Sequence, residues 1–104
     1  DDYFDLVFTA GLLIHISPKN IKKVMKEIIR CSNKYVMGYE YYAPKYTKVN
    51  YRENKDLLWK TDFVKLYKEF NLKLLTEDKY ETKEGTDTIF ILKKGKQTGP
   101  RIFL

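Results

Sequence analysis

A single cysteine, Cys31, excludes a disulfide within this 104-residue chain and leaves no cysteine cluster to hold a metal. A single histidine, His15, excludes a paired-histidine metal motif. There is also no Gly-rich phosphate loop and no nucleophile elbow, so the common signatures of nucleotide binding and of serine hydrolysis are absent. The apolar run Ala10 to Ile14 is far too short to cross a bilayer. No initiator methionine and no charged segment leading into an apolar one mark a secretory signal. With the lone cysteine, this sets the expectation of a reducing, cytoplasmic location with no membrane association.

The composition is that of one globular domain or part of one, with 43% hydrophobic and 33% charged residues. Nine Tyr and six Phe supply bulk for a core. The net charge of +6 raises a nucleic-acid reading, but the lysines are scattered. Lys22, Lys23, Lys26 and Arg30 lie off the apolar stripe of one predicted helix, Lys65 and Lys68 off that of another. Solvated helix faces account for most of them, so a dedicated nucleic-acid surface is the weakest of the readings considered.

Phe4-Asp5-Leu6-Val7-Phe8-Thr9-Ala10-Gly11 reads as a strand buried on both faces, the pattern of a parallel sheet covered by helices. Ser17 is expected to cap a helix with Pro18 in its first position, and Ile21, Val24, Met25, Ile28 and Ile29 give that helix one apolar stripe. Ser32-Asn33 is expected to close it, with asparagine in a left-handed conformation. Lys34 to Tyr42 then reads as a second strand, which makes a crossover unit of a parallel sheet. Residues 43–59 lack clean periodicity and read as a long connection. Thr61 is expected to cap a second helix, with Phe63, Leu66, Tyr67 and Phe70 on one face. Leu72 to Glu81 and Thr86 to Lys94 read as two strands of an antiparallel hairpin, with Gly85 available for a positive φ in the turn. The expected fold is thus α/β with a mixed sheet over residues 1–94 and a tail over 95–104. Four strands and two helices do not cover both faces, and the first strand has no partner on its far edge. A larger domain or another chain would be needed to complete the sheet.

Parallel sheets place ligands at the carboxyl ends of their strands. Those ends carry Thr9, Gly11 and His15 after the first strand and Glu40, Tyr41 and Tyr42 at the end of the second. His15 reads either as a structural residue donating to a carbonyl or as a general base. Glu40, in an otherwise buried strand, needs a donor such as Arg52 or a cavity to face. Gly11 permits either a turn or a close approach to a ligand. Tyr51-Arg52 and Trp59-Lys60 in the long connection offer contacts for an anionic substrate. Cys31, at the end of the first helix, reads as a small half-buried apolar residue.

The segment Phe4 to Ile16 resembles the fourth strand and following loop of class I S-adenosylmethionine-dependent methyltransferases. The ordered set Arg30-Cys31-Ser32-Asn33, Glu40-Tyr41-Tyr42, Tyr51-Arg52, Lys55-Asp56 and Asp62-Phe63 is similar to methylases associated with pseudaminic acid biosynthesis. The resemblance covers roughly residues 1 to 93. It implies a Rossmann-like sheet whose last strand runs antiparallel, of which this chain would be the C-terminal half, without the Gly-rich cofactor loop. It implies that Thr9, Ala10, Gly11 and Leu12 pass the amino-acid and methyl end of S-adenosylmethionine. It also implies that Tyr41, Tyr42 and Arg52 lie on the substrate side, and that His15 or Glu40 serves as a base. The activity implied is methyl transfer to a small molecule, such as a sugar or sugar-nucleotide intermediate of a surface glycan. The chain alone would then be inactive. The competing readings are a non-catalytic half-domain that pairs its open sheet edge with a partner and, last, a basic nucleic-acid-binding domain.

Overall fold

The computed structural model describes residues 4–50, 57–83 and 85–95. Strand β1 (Phe4–Ala10) leads through a short 3-10 turn (Leu13–His15) to helix α1 (Ile21–Cys31) and back into strand β2 (Ser32–Tyr42). β1 and β2 pair in parallel, with Val7 beside Val36 and Ala10 beside Tyr39. The apolar stripe of α1 packs as its spacing requires. Ile21 and Met25 are fully inside, and Val24, Ile28 and Ile29 lean on the same cluster.

Both ends of α1 differ from the sequence expectation. The helix starts at Ile21, not at Pro18. Ser17 instead opens a separate turn: its carbonyl accepts from the Asn20 N–H at 2.9 Å, and its hydroxyl accepts from the Asn20 amide at 3.2 Å. The oxygen that would have capped the helix is therefore already engaged. At the other end no left-handed residue intervenes. Ser32 is extended (φ −93°, ψ 133°) and begins β2 directly, while the Asn33 amide donates to Asp5 at 3.0 Å. Among the described residues the left-handed asparagine is Asn71 (φ 63°), which follows α2 (Phe63–Lys68) and donates its N–H to the Lys68 carbonyl at 3.2 Å.

α2 is capped by Asp62, whose carboxylate accepts from the Lys65 N–H at 3.1 Å. Thr61, the expected cap, is instead bridged to Tyr42 and accepts from the Ala43 N–H at 3.3 Å. The long connection also holds structure. Strands β3 (Thr47–Asn50) and β4 (Leu57–Lys60) form an antiparallel two-stranded sheet. Each is four residues long, too short for alternation to show against a mixed composition.

The C-terminal hairpin follows the expectation. β5 (Lys73–Thr82) and β6 (Gly85–Lys93) pair antiparallel, and Gly85 takes φ 131°. The sheet order is β1-β2-β6-β5. Because β6 is antiparallel to both neighbours, β1, β2 and β5 all run one way and only the last strand is reversed. β6 fits closely against β2. A Cβ on Gly38 would stand 2.3 Å from the Phe90 ring, so glycine is required there by space.

Among the described residues, one face of the sheet is covered and the other is not. Val36, Phe90 and Leu92 meet Ile21 and Met25 of α1 and Phe63, Val64 and Tyr67 of α2 in one core. Both helices thus lie on a single face, and, as expected, two helices do not cover both. β1 is correspondingly not buried on both sides: it is an edge strand, and Phe4, Leu6 and Phe8 are 61%, 46% and 52% exposed.

Candidate functional site

β1 ends beside Tyr39, three residues before its neighbour β2 ends at Tyr42. The Gly11 N–H donates to the Tyr39 carbonyl at 2.9 Å, and at φ 60° the chain turns sharply away from the strand. A side chain there would meet only the Tyr41 ring, at 3.9 Å, so at Gly11 it is the left-handed backbone that favours glycine. Ala10 and Leu12 flank it and are exposed.

Glu40 lies on the covered face of β2, in line with Val36 and Gly38, and is 1% exposed. Both of its oxygens are engaged. Oε2 accepts from the Thr9 hydroxyl at 2.7 Å and Oε1 from the Leu13 N–H at 3.1 Å. The carboxylate thereby ties the end of β1 and the start of the 3-10 turn to β2. Burial pushes its pKa up from the ordinary 4.5, opposed by the Thr9 and backbone hydrogen bonds and by the charge of His15. These partners take the place expected for Arg52, which lies outside the described residues. The Tyr67 hydroxyl is buried with no hydrogen-bond partner among the described residues. Burial, and then the charge of Glu40, push its pKa well up.

Alternation along β2 separates the remaining candidates. Tyr41 and Glu40 project to opposite faces, whereas Tyr42 shares the face of Glu40. The Lys60 ammonium lies 5.7 Å from the Tyr41 ring centre, and that of Lys79 lies 4.6 Å from the Tyr42 ring centre. The tip residues therefore form two groups. Thr9, Leu13 and Glu40 make a buried clamp on one side, and Gly11, Tyr41 and Lys60 make a rim on the other.

His15 is exposed on the 3-10 turn, against which β4 packs. It joins Ser17, Asn20, Lys23, Val24 and Trp59 around a cleft of about 420 Å³. Sequence reasoning singled out His15 and Trp59 but not that they meet. It treated Ser17 as a cap and Lys23 as part of a solvated face. The one available signal was that Asn20 and Lys23, three apart, share a helical side. A larger groove of about 700 Å³ lies away from the strand tips, between β1 and α1, lined by Phe4, Val7, Val24, Ile28 and the half-buried Cys31 among others. Its walls are mostly apolar, with Lys23 and Glu27 also in the lining.

Among the described residues no three His, Cys, Asp or Glu side chains gather to hold a metal, and no helix is long and apolar enough to cross a membrane. No family model matches the chain, and no curated protein matches it.

Proposed function

We propose that this chain is the C-terminal half of a class I S-adenosylmethionine-dependent methyltransferase sheet, acting on a small molecule such as a sugar or sugar-nucleotide intermediate of surface-glycan (pseudaminic acid) biosynthesis in the cytoplasm. The observation that carries the reading is the sheet itself. Two neighbouring strands run parallel, β1 ending beside Tyr39 and β2 three residues further on at Tyr42, a third runs with them, and only the last strand is reversed. That is the arrangement the sequence resemblance implies.

The residues present fit one end of the cofactor. Gly11 turns at positive φ with open space beside it, and the exposed Ala10 and Leu12 flank it, so backbone and a small apolar rim face outward at the β1 tip. The Thr9 hydroxyl is turned inward to Glu40 and would shape the loop without contacting the cofactor. When bound, S-adenosylmethionine supplies the methyl group. In this reading Gly11 admits its close approach, and Tyr41, the ring beside it, stands toward the acceptor, whereas Tyr42 is turned to the opposite face. Of the two candidate bases, His15 has the exposed ring and takes the acceptor's proton. Glu40, with both oxygens occupied, positions the loop.

In this reading the sheet takes a further strand along β1, from another segment of the same protein or from a partner chain. The two edges support this. β5 presents Lys73, Asp78, Lys79 and Glu81 as exposed charges, whereas β1 has one charge, Asp5, already engaged by Asn33. The same bare edge and face favour the second reading, a non-catalytic module that joins a partner by strand pairing. Calorimetric titration of the intact gene product with S-adenosylmethionine separates the two. Saturable heat with one site per sheet is the expected result, and a flat isotherm on folded protein would leave the interaction module standing.

A further inference from the structure

We infer that the cleft between the 3-10 turn, the first turn of α1 and β4 is a binding site for a small ring compound carrying an anionic group, its ring against Trp59 and its anion at Lys23. Two stretches far apart in the chain converge on it: residues 15–24 and Trp59. At about 420 Å³ its volume falls in the range that holds a small metabolite.

The lining specifies the chemistry. Trp59 is half-buried and supplies an aromatic wall. Asn20 and Ser17, already hydrogen-bonded to each other, keep further donor and acceptor capacity for hydroxyls. Among the described residues Lys23 is the one fixed charge in the lining, and no carboxylate shares it. The next acid along α1, Glu27, is bound by Arg30, which also holds its pKa down. Among the described residues Lys23 has no ion pair, so its ammonium remains available to an anion. A phosphate or carboxylate suits it, and a sugar or aromatic ring suits Trp59.

This deepens the proposed function, on which it rests only for the idea that the ligand is the methyl acceptor. Binding itself involves no cofactor, so a failed S-adenosylmethionine titration and a failed cleft titration are separate results.

Trp59 is the chain's only tryptophan and reports directly on the site. The test is its fluorescence, excited at the red edge of its absorption, during titration with glucose 6-phosphate, phenyl phosphate, glucose and inorganic phosphate. A saturable change is expected with at least one phosphorylated ring compound, at least tenfold weaker with glucose or phosphate alone. Which of the two phosphorylated compounds binds more tightly tells a sugar ring from an aromatic one. Lys23→Glu should weaken that binding at least tenfold with an unchanged melting temperature, since Lys23 is exposed. Absence of any saturable change at millimolar ligand would overturn the inference, as would equal affinity for inorganic phosphate alone or an unaltered isotherm in Lys23→Glu.

Discussion

At Glu40, burial and hydrogen bonding pull in opposite directions. The carboxylate is taken out of water, yet it is also the only described acceptor for the Thr9 hydroxyl and the Leu13 N–H. Because its pKa is raised, the folded state holds the proton more tightly than the unfolded chain does. Stability therefore falls as pH climbs from the ordinary glutamate value through the raised one, and is level above it. Glu40→Gln removes the charge: its amide oxygen still accepts from the Leu13 N–H, and its NH2 group donates to the Thr9 hydroxyl, which reverses that bond. Denaturant melts from pH 4 to 8 should show this variant losing that slope and at least as stable as the parent at pH 7. Glu40→Ala strands both donors and should cost about 2–4 kcal/mol in the same melts. Tyr67 is the opposite case. Its buried hydroxyl has no described partner, so Tyr67→Phe should be neutral or stabilising by about 1 kcal/mol. Gly38→Ala should destabilise by about 1–3 kcal/mol, since the Phe90 ring occupies the space its methyl needs.

The elements show which signals a sequence carries plainly. The apolar runs of β1 and β2, the stripe of α1 and the turn at Gly85 all survive into the structure, because each is set by many residues or by one residue with a unique backbone. The helix ends did not read correctly. Ser17, Thr61 and Asn33 are good capping residues by type, but Asn20, Tyr42 and Asp5 engage or pair with them first. The β3–β4 hairpin was too short to leave a periodicity. In the site, the juxtaposition of the end of β1 with β2 was legible. The Glu40 clamp and the meeting of His15 with Trp59 were not, because each depends on contacts across 27 residues or more. At this scale the open edge carries its own prediction. Leu6→Lys places a charge on an exposed edge position. Stability should stay within about 0.5 kcal/mol, while self-association, read by sedimentation, should fall.

For the whole molecule, the unequal treatment of the two sheet faces and the two sheet edges is the central fact. The helices, the core and the buried clamp lie on one face, and Leu6, Phe8 and Tyr39 stand exposed on the other. The charged edge of β5 is suited to end a sheet. The apolar edge of β1 is suited to continue one. The methyltransferase reading, the need for a further strand and the position of the candidate site beside Gly11 all follow from taking β1 as an interior strand of a larger sheet. Hydrogen–deuterium exchange over Phe4–Ala10 tests that most directly, comparing the intact gene product with the 104-residue chain. The account predicts that these amides are strongly protected in the intact protein and exchange much faster in the chain by itself. Equal exchange in both, fast or slow, would contradict it.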